Sequence, residues 1–205
     1  MKKALLIVLL LASATFAQRK SFFEGEMDNG GFGGPQVKFS SVKNNFGVLV
    51  GAYGGWLINH QFMIGGGGYG LANNIKANSD VQKVFNYSSQ PYINFGYGGG
   101  VLEYYFNPNS LLHSSVSLLI GAGGVSYRSA NHDTDLLSDE WNDDSNADAV
   151  FVLEPGVSGE LNIAKYMKVG FNVSYRFVNG VDTYGLKDSD FSNFSGGITL
   201  KFGVF

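Results

Sequence analysis

The sequence predicts an all-β chain: eight antiparallel strands in up-and-down order, closed into a transmembrane β-barrel behind an N-terminal signal peptide. Three observations carry this expectation. Eight stretches alternate in residue character at the period of two that a strand imposes. The connections between them sort by length, short at one rim and long at the other. The chain opens with a brief apolar run whose flanks suit export.

The clearest stretch is 167–178, MKVGFNVSYRFV. Met167, Val169, Phe171, Val173, Tyr175 and Phe177 share one face, and Lys168, Gly170, Asn172, Ser174 and Arg176 the other; only Val178 breaks the rule. Roughly 9 to 11 tilted residues cross a hydrocarbon core, so it is long enough to span one. A soluble sandwich strand alternates in the same way, so recurrence and the intervening segments decide.

Taken in order, the leader comes first. Lys2 and Lys3 precede an apolar run, Ala4 to Leu11, and a small-residue end, Ala12 to Ala17. This reads as a signal peptide over residues 1–17, cleaved after Ala17. Gln18, Arg19 and Lys20 end the run short of the roughly 17 to 25 residues of a membrane helix. Residues 18–29 read as a mixed N-terminal arm, and 30–205 as the barrel. The first strand spans Gly33 to Val42, with Val37 and Phe39 alternating with Gln36, Lys38 and Ser40 and with Pro35 expected near its start. Lys43-Asn44-Asn45 is a tight turn, because Asn tolerates positive φ. The second strand, Phe46 to Leu57, puts Phe46, Val48, Val50, Ala52, Gly54 and Trp56 on one face. The third, Phe62 to Ala72, holds Gly65 to Gly68, read as strand approaching a close neighbour.

A long polar stretch, 73–90, leads to the fourth strand, Pro91 to Phe106. Ile93, Phe95, Tyr97 and Val101 form its apolar face, on which Glu103 also falls, so a bulge across Gly98-Gly99-Gly100 is expected to switch faces. Asn107-Pro108-Asn109-Ser110 is a turn. The fifth strand, Ser114 to Tyr127, alternates Val116, Leu118, Ile120 and Ala122 with Ser115, Ser117, Leu119 and Gly121. Arg128 to Ala149 is the most polar segment and reads as a solvated loop. The sixth strand, Val150 to Ile163, sets Phe151, Leu153, Pro155, Val157, Leu161 and Ile163 against Glu154, Gly156, Ser158, Glu160 and Asn162. Ala164-Lys165-Tyr166 turns into the seventh, the clearest stretch. A polar loop, 179–193, leads to the eighth, Phe194 to Phe205, with Phe194, Ile198, Leu200, Phe202 and Val204 opposite Ser195, Thr199 and Lys201.

In an up-and-down order the turns near 58, 107 and 164 share a rim, and three of the four connections at the other rim are long. An even strand number brings both ends to the short-turn rim. In outer-membrane barrels the long loops face outside and the short-turn rim faces the periplasm, and closure pairs every strand on both sides. The chain therefore resembles the small eight-stranded outer-membrane barrels of Gram-negative bacteria, and its Gly- and aromatic-rich style resembles those of Bacteroidetes. The resemblance covers about Gly30 to Phe205 and rests on architecture and on the terminal Phe205. It implies outer-membrane lipids and the barrel assembly machinery as partners. Here the positions alternate to Phe205 are Gly203 and Lys201, whereas members of that family carry apolar residues there.

Composition narrows the function. The chain has 14 basic and 17 acidic residues; without Lys2 and Lys3 the balance is 12 to 17, a net charge of −5, which argues against a nucleic-acid partner. Absence of cysteine removes disulfides and thiolate metal sites. Gly65 to Gly68 has no Gly-Lys-Ser/Thr ending and is no phosphate loop. The carboxylates between Asp133 and Asp148 match no full calcium loop, so no cofactor is expected.

With each apolar face outward, Lys38, Glu154, Glu160, Arg176 and Lys201 point inward, joined by Glu103 through the bulge. Mixed charges in so narrow an interior imply a paired, structural network, with Glu154 the nearest partner for Arg176 and with no open channel. Two rivals remain. His113-Ser114-Ser115 is similar to the His-x-Ser of lipid A deacylases, although His113 sits at the short-turn end, where a satisfied surface group is the plainer reading. A secreted β-sandwich adhesion module is the other. The expected role is structural, accessory or interactive, through the outer loops and an unidentified membrane or surface partner, without enzymatic activity.

Overall fold

A computed structural model describes residues 29–84, 89–128 and 147–205. The leader, residues 18–28 of the arm, and the carboxylates Asp133 to Asp144 of the acidic loop lie outside the described residues. Strands β1 (Asn29–Val42), β2 (Asn45–Ile58), β3 (Phe62–Leu71), β4 (Ile75–Lys76), β5 (Tyr92–Phe106), β6 (Leu112–Arg128), β7 (Asp148–Ala164), β8 (Met167–Asn179) and β9 (Asn193–Val204) are joined by two short helices, α1 (Ser79–Val84) and α2 (Asp188–Phe191). Two-residue β4 pairs only with β5; the other eight strands form one antiparallel ring. The ring shuts through β3–β5 on one side and β1–β9 on the other. The fold is the closed eight-stranded barrel that the alternation predicts, and a closed single sheet excludes the sandwich.

Turn chemistry sets the two rims. Lys43 and Asn44 (φ 48° and 60°) form the two-residue β1–β2 turn, the positive-φ pair that a turn between twisted strands demands, and Asn59 and His60 (φ 51° and 57°) repeat the pair within the three-residue β2–β3 turn. The turns at 59–61, 107–111 and 165–166 lie at one end with both ends of the sheet; the 43–44 turn and the long connections lie at the other.

The outer wall is apolar. Val50, Trp56, Ile64, Leu102, Val116, Ile120, Phe151, Val157, Phe171, Val173, Ile198 and Phe202 are all exposed, each on the outward face of its strand. Across the eight strands the outward positions carry no Asp, Glu, Lys or Arg below Arg128, at the long-loop end of β6. Aromatic rings gather near both rims. Phe39 stacks on Phe46 (6.0 Å), and Tyr175 packs against Phe177 and Phe194 (4.5 and 4.8 Å), at the long-loop end. Trp56, Tyr104, Phe106 and Tyr166 are exposed towards the short-turn end.

Two expectations about the strands need correction. Pro35 lies mid-strand, because β1 begins at Asn29. The β1–β9 ladder skips from Gly33↔Phe202 to Gln36↔Thr199, and the β7–β8 ladder skips from Leu153↔Phe177 to Gly156↔Ser174 around Pro155. Register is preserved across both gaps, so each proline interrupts one ladder locally. No bulge crosses Gly98 to Gly100: β5 pairs in constant register with both β3 and β6. The bulge lies instead between Asn162 and Ala164, at the foot of β7. The polar connections 73–90 and 179–193 also supply buried side chains. Val81 of α1 and Phe191 of α2 are fully buried, with Ile75 nearly so, over the long-loop end of the barrel.

Glycines let the strands come close. A Cβ on inward-facing Gly121 would lie 2.0 Å from the Gly98 carbonyl oxygen, whereas one on outward-facing Gly70 would meet nothing within 4 Å. Gly121→Ala should therefore destabilise the barrel by about 1–3 kcal/mol, the usual range for overpacking. Gly70→Ala should stay within about 0.5 kcal/mol of wild type, as surface changes do. Equilibrium denaturant unfolding in lipid vesicles compares the two.

Candidate functional site

Strict alternation projects one set of side chains from each strand into the barrel, and the interior is divided. Strands β2, β3 and β5 contribute Leu49, Leu57, Met63, Tyr69, Ile93, Phe95, Tyr97, Val101 and Tyr105. Strands β1, β7, β8 and β9 contribute most of the charge. Lys38, Glu103, Glu154, Glu160, Arg176 and Lys201 are each at most 4% exposed. Glu103 enters with Ile93, Phe95 and Tyr97 on one uninterrupted face. The apolar face of β5 is thus its inner one, which inverts the face expected to meet the outside.

The polar groups form layers. In the upper one Lys38 Nζ donates to Glu154 Oε1 (2.8 Å) and sits 3.5 Å over the Tyr69 ring. Glu154 also accepts from Ser174 Oγ and from the Tyr97 hydroxyl, each at 2.5 Å. Gln36 continues this layer, donating to Thr199 Oγ1 (2.7 Å) and Asn172 Oδ1 (2.9 Å) and accepting from the Tyr69 hydroxyl (2.5 Å).

The lower layer centres on Lys201. Its Nζ reaches Glu160 Oε1 at 2.5 Å, both oxygens of Glu103 at 3.2 Å and the Tyr105 hydroxyl at 2.9 Å. Glu103 further accepts from Ser115 Oγ (2.6 Å), the Tyr105 hydroxyl (2.7 Å) and the Tyr53 hydroxyl (3.3 Å). Each carboxylate is thus held by a lysine, and Glu103 and Glu154 by hydroxyls as well, the condition for keeping ionised groups out of water.

Arg176 departs from expectation. Glu154 belongs to Lys38, and Arg176 instead donates through Nε to the Phe191 carbonyl (2.9 Å), with Ser40 Oγ 3.4 Å from Nη2. Its guanidinium lies 5.1 and 5.4 Å from the Phe95 and Tyr97 ring centres. It therefore ties α2 down as a lid. Lys43 N donates to Asp190 O (2.7 Å), and Asp188 accepts from the backbone of Gly180 and Val181 (3.0 and 2.8 Å) in the same lid. Partial burial at this rim lowers the Lys43 pKa, opposed by the charge of Asp190.

His113 is not a surface group. Its side chain is fully buried, with Nε2 3.3 Å from Glu160 Oε2, although neither atom completes a hydrogen bond of good geometry. Ser115 points inward on the same strand, but its hydroxyl hydrogen goes to Glu103. The spacing brings His, Ser and carboxylates together without placing the Ser hydroxyl on the His. His60 lies in the β2–β3 turn, and His132 lies outside the described residues. Among the described residues no three His, Asp or Glu converge as a metal site.

Little space remains. A mid-barrel cavity of about 30 Å³ between Gln36, Glu154 and Tyr53 has room for about one or two waters. Sequence reading put Lys168 on the inward, polar face but left it out of the charge network; it is 5% exposed and packs over the Phe205 ring at 4.1 Å. The same reading missed the tyrosine hydroxyls as partners of the carboxylates. The signal was available: Tyr97 shares a face with Glu103.

Among solved structures the chain is similar to Neisserial surface protein A (NspA), with a TM-score of 0.58 and 14% identity over 88% of this chain and 99% of that one. The N-terminal β-barrel domain of Pseudomonas aeruginosa OprF follows at TM-score 0.47 and 9% identity, over 84% and 96%. Ail, the attachment invasion locus protein of Yersinia pestis, follows at 0.45 and 12%, over 87% and 98%. At these identities the likeness is one of fold. No protein-family model and no curated protein matches the sequence.

Lys201→Met should cost about 3–5 kcal/mol, because it leaves two buried carboxylates without their cation. Adding Glu103→Gln and Glu160→Gln should recover part of that loss, as measured by unfolding midpoints in detergent or vesicles.

Proposed function

We propose that the chain is an integral outer-membrane barrel, sealed against solutes, with a structural, accessory or interaction role carried by its outer loops. The observation that carries this reading is the outer wall: eight strands present no charged side chain outward below Arg128, between two aromatic girdles. Water would not sustain so continuous an apolar surface, whereas a bilayer requires it. The long connections then face outside and the short turns face the periplasm.

The packed lumen supports sealing. A conducting barrel needs a continuous aqueous path, and eight strands leave an interior that side chains can fill. The Ser115–Glu103 hydrogen bond argues against a lipid hydrolase, since the hydroxyl donates away from the base a nucleophile would need. The outer loops, rather than the interior, are the surface for a protein or surface partner.

The folded protein should require detergent or lipid to stay dispersed, and should migrate on a gel faster before boiling than after. In planar bilayers it should give no steady single-channel conductance. A chain that remains monodisperse without detergent would refute membrane insertion. A steady conductance would refute sealing.

A further inference from the structure

A second cavity, of about 700 Å³, opens at the short-turn rim, between the β7–β8 turn, the β5–β6 turn and the end of β9. Its lining changes character from one side to the other. Ile163 and Val204, 50% and 67% exposed on the outer wall, form one side. Lys168 and Lys165 form the other, with Asn109, and no Asp or Glu side chain lines it.

Two side chains of this lining, Lys168 and Asn162, have bonding capacity to spare. Lys168 is 5% exposed; its Nζ lies 4.1 and 5.8 Å from the ring centres of Phe205 and Tyr105, and the charges of Glu160 and Glu103 act on it without a salt bridge to either among the described residues. The lower carboxylates, Glu103 and Glu160, are bonded by Lys201 instead. Asn162 donates to the Ser110 carbonyl (2.9 Å), but its buried Oδ1 has no hydrogen-bond partner. An ammonium wants an anion, and an amide oxygen wants a donor such as a hydroxyl or an ammonium.

We propose that this cavity seats the headgroup of an anionic glycerophospholipid from the periplasmic leaflet. The inference rests on the membrane reading above, which puts this rim at headgroup depth. The phosphate would lie between Lys165 and Lys168, and the acyl chains would run down the wall past Ile163 and Val204. The apolar side selects a lipid over a free anion, because a soluble phosphate has nothing to place there. Tyr166, 67% exposed in the same turn, has the ring-and-hydroxyl character suited to an interface.

The test uses the folded protein in nanodiscs made from phosphatidylcholine with a minor fraction of phosphatidylglycerol. Native mass spectrometry reads which lipid stays bound after release. Each lysine near an anionic surface contributes about a fivefold preference. Wild type should therefore retain phosphatidylglycerol at least tenfold over phosphatidylcholine, and Lys165→Gln/Lys168→Met should lose that preference. Lys165 is an exposed turn residue, so Lys165→Gln alone keeps the test open if the double variant does not fold; it should cut the preference severalfold.

Insertion into pure phosphatidylcholine with no preference for phosphatidylglycerol in mixed discs would overturn the site and leave the membrane reading standing. Failure to insert at all would overturn that reading itself. Displacement of the lipid by millimolar inorganic phosphate would show a free-anion site and overturn the lipid assignment. Retention only by a chain shortened to begin at Asn29 would make residues 18–28 the occupant and overturn it too.

Discussion

Closure of the sheet is the constraint on which everything else in this molecule depends. Once β1 meets β9 and β3 meets β5, none of the eight barrel strands is left with an unpaired edge, and their backbone can face an apolar medium without an orphan donor or acceptor. An open sheet would lose several kcal/mol for each backbone group stranded in hydrocarbon. The prolines show how tight the condition is. Pro35 and Pro155 each lack a donor, and each disturbs only one of its strand's two ladders, without a change of register. Glycines such as Gly121 permit the close strand approach that a ring of eight strands imposes.

Closure also divides the side chains into two populations with opposite requirements. The outer set must be apolar, and it is. The inner set must fill a narrow cylinder, and it does so with rings on one side and charges on the other. The charges persist because hydroxyls from the aromatic side, Tyr53, Tyr97 and Tyr105, supply donors that the lysines alone cannot. Removing a single lysine is therefore worse than never having had the pair, since a carboxylate stays behind without water. Above these layers Arg176 has a different task. It joins the barrel wall to α2 through the Phe191 carbonyl, so the outer closure is latched to the strand beneath it.

Much of this was legible in the residues, and the failures have physical causes. Strands β1, β7, β8 and β9 alternate greasy with polar, so their inner faces, with Lys38, Glu154, Glu160, Arg176 and Lys201, could be read directly. Strand β5 could not, because both its faces contain apolar residues. Its inner face meets other side chains and carries Phe95 and Tyr97, while its outer face has glycine at three of its eight positions, Gly96, Gly98 and Gly100. Hydrophobicity therefore pointed the wrong way, and the fixed period of two was the better guide. The partners of Arg176 and His113 were hidden for another reason. Phe191 approaches Arg176 from a polar-looking loop, and Glu160 stands opposite His113 only through the β6–β7 register. Neither relation has a local signature. Connections 73–90 and 179–193 read as polar because the few buried residues that anchor them, Ile75, Ala77, Val81 and Phe191, sit among polar neighbours.

The sequence contains no cysteine, so single cysteines carrying spin labels can report the surroundings of each position without background. The most direct measurement places them in turn along 171–174 of β8 in lipid vesicles and compares relaxation by oxygen with relaxation by a water-soluble nickel chelate. A sealed barrel in a bilayer predicts high oxygen and low nickel accessibility at Phe171 and Val173, and low accessibility to both reagents at Asn172 and Ser174. High nickel accessibility at Phe171 and Val173 would contradict a lipid-facing wall. High nickel accessibility at Asn172 and Ser174 would contradict a packed interior.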